Sequence, residues 1–208
     1  MVNVKKYGLK MKRIYVDLDD VISRTTDTYS AVIEQEFGKQ VRFEDLTCFD
    51  LKVSFELTDR EYRHFFELIH QPEVLMGFEP VSGAGKMLAR WIDAGHRVDI
   101  VTGRPPAARE ASMAWLDQQK IAYTDFIMVD KYNRSGDDHP GMISKTQLMA
   151  CQYDLAVEDS LDTAFFLAEH MDVKVFLYGR PWNVLPAQHP NIIRVGSWRD
   201  IAVLPCCT

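Results

Sequence analysis

Short apolar runs alternate with helical periods along the chain. Residues 13–18 (RIYVDL) form an apolar run that ends in acid, and residues 96–102 (HRVDIVT) form a β-branched run that ends at Gly103. Residues 126–129, 154–157, 174–178 and 191–195 repeat the pattern. Between these runs apolar residues recur at helical spacing. Ala84, Leu88, Trp91 and Ile92 share one face, and Gly95 is placed to stop that helix. Ala108, Ala111, Trp115 and Leu116 share another, with Pro105 and Pro106 suited to a first turn. Ala164, Phe165 and Ala168 follow Ser160, a good N-cap residue. Strand followed by helix, repeated, predicts an α/β fold: a Rossmann-like parallel sheet with helices on both faces.

The rhythm breaks after the first predicted strand. Tyr29, Val32, Ile33 and Phe37 make one helical stripe, and Tyr62, Phe65, Phe66 and Ile69 make a second, with no strand between them. Residues 24–78 are therefore expected to form a small helical cap, and residues 11–23 with 79–208 the core domain. Phe43, Phe49 and Phe55 add to the aromatic content of this segment. Such a stripe reads first as the interior of the cap, and second as a surface that stacks on a ligand ring.

Composition narrows the classes. With 47% hydrophobic and 26% charged residues, the chain is neither disordered nor a disulfide-rich miniature. A net charge of −6 provides no field to attract a nucleic-acid polymer. The basic cluster of Lys5, Lys6, Lys10, Lys12 and Arg13 reads as a solvated tail. The stretch before Met11, itself a candidate alternative start, has no apolar segment of the signal-peptide kind. No apolar run reaches membrane-spanning length. Cys48, Cys151, Cys206 and Cys207 show no metal-type spacing and are read as free thiols of a cytoplasmic protein. The six histidines are scattered, which argues against zinc.

Candidate chemistry gathers at the ends of the predicted strands, where ligands bind in open α/β sheets. The first ends in Asp17-Leu18-Asp19-Asp20, whose alternation brings Asp17 and Asp19 to one side. Two adjacent carboxylates repel each other, and a divalent cation relieves that repulsion. The second ends in Thr102-Gly103-Arg104, a hydroxyl and an amide before a helix, suited to phosphate. Lys145 opens a short helix, and the fourth strand ends in Glu158-Asp159-Ser160, a second acidic pair. Singly, each has an ordinary structural explanation. In this order they fit Mg²⁺-assisted phosphoryl transfer through an aspartyl-phosphate.

This set resembles the haloacid dehalogenase superfamily, with Asp17-x-Asp19-x-Val21, Thr102, Lys145 and Glu158-Asp159 as its four motifs. The resemblance implies Asp17 as nucleophile and metal ligand. It implies Asp19 as general acid and base, with its backbone carbonyl on the metal. Thr102, the Gly103 amide and Lys145 would hold the phosphoryl oxygens. Asp159 would bind Mg²⁺ directly and Glu158 through water. Lys131, in Val129-Asp130-Lys131, is the rival for the lysine role, with Lys145 preferred for its spacing to Glu158. The second aspartate of the first motif favours a phosphatase over a dehalogenase. The segment between the first two motifs is where the superfamily inserts a class-one cap.

Within the superfamily the chain is most similar to the 5′(3′)-deoxyribonucleotidase group. The likeness rests on Phe78-Glu79-Pro80-Val81, on Tyr178-Gly179-Arg180-Pro181-Trp182-Asn183 and on the Gly196-Ser197-Trp198 ending. It differs in two places. Thr25 stands where the group carries an aromatic, and Thr102-Gly103-Arg104-Pro105 stands where it reads Thr-Ser-Pro. Arg104 either contacts a second anionic group of the substrate or turns outward. The implied partner is a small phosphorylated metabolite, with a nucleoside monophosphate first. The alternatives are a sugar phosphate or phosphoglycolate, a mutase, or a non-catalytic phosphate-ester binding protein.

Overall fold

A computed structural model describes residues 10–131, 140–186 and 188–204. Lys5, Lys6, Cys206 and Cys207 lie outside the described residues. Six parallel strands form one sheet: β1 (Arg13–Val16), β2 (Arg97–Thr102), β3 (Asp125–Met128), β4 (Leu155–Glu158), β5 (Lys174–Tyr178) and β6 (Ile192–Val195). Their order is β3-β2-β1-β4-β5-β6. Each coincides with an expected run to within two residues. The reason is physical: strands covered on both faces are nearly continuous apolar segments, which are legible without tertiary information.

Alternation divides the sheet into two faces. Ile14, Val16, Ile100, Val157 and Phe176 join one buried cluster, while Tyr15, Val101, Ala156, Val175 and Leu177 join the other. The first face is covered by α5 (Ala84–Asp93), α6 (Arg109–Gln118) and α9 (Trp198–Ala202), through Leu88, Trp91, Trp115 and Trp198. The second is covered by α7 (Lys145–Met149) and α8 (Leu161–His170), through Leu148, Ala164 and Leu167. Gly95, at φ +85, follows α5 in the left-handed conformation that glycine adopts without strain. Ser160 caps α8 by accepting from Thr163 N at 3.3 Å.

Residues 25–76 carry α1 (Thr25–Phe37), α2 (Leu51–Ser54), α3 (Asp59–Leu68) and α4 (Pro72–Met76), with no strand among them. Tyr29, Ile33, Phe55 and Phe65 are buried, and the Tyr29 and Phe65 rings meet edge to face at 5.4 Å. Thr58 and Glu61 form a reciprocal capping box on α3. Chain entry and exit are stitched together: Arg24 N donates to Glu79 O at 2.8 Å and Val81 N to Ile22 O at 2.7 Å. The helical segment thus hangs from the end of β1 on two adjacent stems. Among the described residues, no helix is long and apolar enough to cross a membrane.

Trp198 ties the last helix to the first strand's loop. Its indole Nε1 donates to Val21 O at 2.9 Å, and its ring packs against Trp91 at 5.9 Å. Trp198→Ala is expected to cost about 3–5 kcal/mol, the range for emptying a buried aromatic site. A urea titration of the variant against the wild type measures it.

Candidate functional site

The order of the strands switches between β1 and β4, with β2 and β3 laid down on one side and β5 and β6 on the other, and ligands of open α/β sheets bind in the crevice that this creates. Asp17 extends the β1–β4 pairing, its N donating to Val157 O at 2.9 Å. Both Ile22 N and Ser23 N then donate to Leu18 O, which folds the chain back and lifts Asp19 over the strand ends. On β4, Glu158 completes the strand and Asp159 follows it.

Three carboxylates converge here. Asp17, Glu158 and Asp159 each offer an oxygen within 4.8 Å of the others, and all three are buried. Lys131 Nζ stands between two of them, 2.6 Å from Asp17 Oδ1 and 2.9 Å from Glu158 Oε2. Burial pushes the Asp17 carboxyl well above the ordinary aspartate range, the Glu158 charge adds to this, and Lys131 opposes it. Burial and Glu158 do the same to Asp159. Negative charge exceeds the positive charge set against it, and every donor atom in the cluster is a hard oxygen. The cluster therefore fits a divalent cation of the Mg²⁺ type.

Glu158 is fully buried and saturated by the chain. Its Oε1 accepts from Asp159 N at 3.1 Å and Ser160 N at 3.0 Å, and its Oε2 from Tyr15 Oη at 2.8 Å and from Lys131. Such bonding orients the loop after β4. Asp159 Oδ2 accepts from Trp182 Nε1 at 2.9 Å, and Asp159 O from Asn183 Nδ2 at 2.6 Å. The loop after β5 therefore braces the loop after β4. It also braces the loop after β1, because Arg180 Nε donates to Asp20 O at 2.8 Å. Asp20 holds the start of α1, accepting from Thr26 N at 3.1 Å. Burial raises its carboxyl to about 6, against the pull of the Thr26 hydroxyl.

The expected lysine is not at this cluster. Lys145 is the first residue of α7, and its Nζ lies over the Phe166 ring at 5.4 Å on the far face of the sheet. The reason lies in the packing of α7. Leu148 must enter the cluster formed with Ala164 and Leu167, and this carries Lys145 to α8 rather than to the strand ends. Lys131 instead follows β3 directly, where Val129 N donates to Thr102 O at 2.9 Å. The legible signal was its place immediately after a strand, shared with the other candidates. Thr102 ends β2, fully buried, and its Oγ1 accepts from Arg104 N at 3.1 Å.

Arg104 does not turn outward but borders the cavity with its guanidinium on an internal acid. It is 3% exposed and forks onto Asp19, with Nη2 at 2.6 Å from Oδ1 and Nε at 3.1 Å from both oxygens. Thr25 Oγ1 donates to the same Oδ1 at 2.6 Å. Burial would raise the Asp19 carboxyl, but Arg104 and Thr25 outweigh it and hold it below the usual aspartate range. Tyr15, Trp182, Asn183 and Ser112 are site residues to which the sequence assigned no role, since ordinary side chains acquire such tasks only through tertiary contact.

Above these groups lies a cavity of about 440 Å³, within the range that holds a small metabolite. Asp17, Asp19, Gly103, Arg104 and Asp159 form its polar floor. Phe49, Tyr62 and Phe66 from the helical segment, with Trp182 from the loop after β5, line its upper part. The second aromatic stripe therefore divides: Phe65 packs the interior, while Tyr62 and Phe66 face the cavity, which Tyr29 of the first stripe and Phe49, 41% exposed, also line.

A family model described as "5' nucleotidase, deoxy (Pyrimidine), cytosolic type C protein" matches residues 10–204. A protein of Halalkalibacterium halodurans, "Putative nucleotidase BH1399", is 24% identical over 92% of this chain and 91% of its own. A protein of Bacillus subtilis, "Putative nucleotidase YqfW", is 26% identical over 91% of each. In three dimensions the chain is similar to a predicted phosphatase from Clostridium acetobutylicum, with a TM-score of 0.62 at 14% identity, covering 93% of this chain and 99% of that one. It is also similar to a HAD-superfamily hydrolase, subfamily IA, from Geobacter sulfurreducens, with a TM-score of 0.57 at 17% identity, covering 92% and 94%. These two likenesses concern the fold.

Removing the Lys131 ammonium leaves Asp17 and Glu158 facing each other in the interior. Lys131→Ala is expected to cost about 3 kcal/mol in EDTA at neutral pH. Lys145→Ala should stay within about 0.5 kcal/mol. Paired urea titrations read both, and equal costs would contradict the placement of the buried ammonium.

Proposed function

The chain belongs to the cytosolic type C 5′-nucleotidase family, phosphatases of the haloacid dehalogenase type, and on that ground we propose that it is a Mg²⁺-dependent nucleoside monophosphatase acting through an aspartyl-phosphate. The observation that carries this reading is the pairing of Asp17, buried beside Lys131, with Asp19 on the floor of one cavity.

In this mechanism Asp17 attacks phosphorus, and Lys131 opposes the burial that favours its protonated form. Thr102, the Gly103 amide and Lys131 hold the phosphoryl oxygens as charge shifts onto them. Asp19 donates a proton to the departing oxygen, then takes one from the water that opens the aspartyl-phosphate. Asp17, Asp159 and the Asp19 backbone carbonyl would hold Mg²⁺, which when bound offsets the phosphate charge. Glu158 acts in this scheme by orienting Asp159 and Lys131. The segment of residues 24–78 serves as the cap. It excludes water and offers Phe49, Tyr62 and Phe66 to the face of a base. A cytoplasmic site of action belongs to the same reading and agrees with the free thiols of Cys48 and Cys151.

Phosphate release from deoxyribonucleotides, ribonucleotides, sugar phosphates and phosphoglycolate tests it. Release is expected with Mg²⁺, to be lost in EDTA, and to be abolished by Asp17→Asn in a protein with an unchanged circular dichroism spectrum. Nucleoside monophosphates should lead the other esters by at least about tenfold in kcat/KM, or ~1.4 kcal/mol. Preference for a sugar phosphate or phosphoglycolate would overturn the nucleotide assignment and keep the chemistry. Full activity of Asp17→Asn would overturn the nucleophile.

A further inference from the structure

Among the described residues, Asp19 is the one carboxylate of the floor gripped by a guanidinium, and that guanidinium is itself fixed on three sides. Arg104 Nε and Nη2 reach the Asp19 oxygens, and Nη1 donates to Ser112 Oγ on α6 at 2.8 Å. The guanidinium carbon lies 5.0 Å from the centre of the Phe78 ring, at the root of the helical segment. Ser112 is fully buried and Phe78 is 1% exposed, so neither anchor is free to drift. A fork held in this way determines the plane and rotation of the carboxylate that it grips.

The grip is asymmetric. Oδ1 of Asp19 receives Nε, Nη2 and the Thr25 hydroxyl, while Oδ2 receives Nε alone at 3.1 Å. Ser23 Oγ, 2.6 Å from Thr25 Oγ1, extends the same line of bonds. With Oδ1 saturated, Oδ2 retains open lone pairs. The Asp19 side chain is 29% exposed and borders the cavity, so a proton can pass there.

We propose that Arg104 is a positioning residue that fixes the rotation of Asp19 and selects Oδ2 as the atom exchanging protons with the leaving group and with water. This rests on the acid–base role of Asp19 in the proposed function. In the first step the Asp17–phosphorus bond forms, the bond to the leaving oxygen breaks, and that oxygen takes the proton from Oδ2. In the second, water gives its proton to Oδ2, its oxygen bonds to phosphorus, and the Asp17–phosphorus bond breaks. Three of the five guanidinium donors are committed inside the chain, so Arg104 acts on the reaction through Asp19.

The test exploits the leaving group. An alkyl phosphate leaves as a poor alkoxide and needs the proton, whereas p-nitrophenyl phosphate leaves as a stable phenolate and needs little of it. Arg104→Ala and Arg104→Lys are each assayed on a nucleoside monophosphate and on p-nitrophenyl phosphate with Mg²⁺. For Arg104→Ala, kcat on the nucleotide is expected to fall about 100-fold, the scale of general acid–base catalysis, with KM changed less than about threefold. The loss on p-nitrophenyl phosphate should be at least tenfold smaller, and ethylguanidine should restore the nucleotide reaction selectively. Arg104→Lys keeps the charge without the fork and should show the same leaving-group signature, so it also serves where the alanine variant does not fold. Equal losses on both esters with a raised KM would overturn the proposal in favour of a substrate contact. Equal losses that follow the thermal midpoint would overturn it in favour of a structural role. If the wild type releases phosphate from neither ester, the acid–base reading fails, and this inference fails with it.

Discussion

Three carboxylates are brought within 4.8 Å of one another below the protein surface, and Lys131 is set between two of them. Charge crowded in this way is expensive unless every group is held to its partner. The sheet supplies the holding. Asp17 and Glu158 come from adjacent strands, Lys131 comes from the end of a third, and each is bonded before any ligand arrives. The remaining supports follow from the same need. Tyr15 lies beneath Glu158, two backbone amides close over its other oxygen, and Trp182 and Asn183 fix Asp159 from the loop after β5.

The same constraint sets the two aspartates of the first strand's loop apart. Asp17 is paired with an ammonium and pushed up by burial, while Asp19 is paired with a guanidinium and held down. They stand two residues apart yet occupy opposite electrostatic settings.

How much of this was legible in the sequence follows from what each feature depends on. The strands were, because a doubly covered strand announces itself as an apolar run. The motif residues at strand ends were, because a parallel sheet brings its carboxyl ends together whatever the order of its strands. The lysine was not, because spacing along the chain does not say on which face of the sheet a helix will pack. Lys131 carries the strand-end signal, whereas Lys145 is favoured by its spacing to Glu158. Arg104 was ambiguous for a related reason: its direction is set by Ser112 and Phe78, neither of which is marked out by type or spacing as its partner. The aromatic stripes held both outcomes at once, and only the folded helices separate Phe65 from Phe66.

The paired stems at Arg24–Glu79 and Ile22–Val81 carry a consequence for how such a protein diversifies. Because the two chain crossings are already bonded side by side, the intervening stretch closes on itself without reaching across the sheet. Its length is therefore nearly decoupled from the geometry beneath: doubling it adds only about 0.6 kcal/mol of closure entropy. The charged floor and the helical roof are in this sense separable parts. One can be exchanged by recombination at two neighbouring peptide bonds, while the other, bound by its crowded charges, is left almost no freedom to vary.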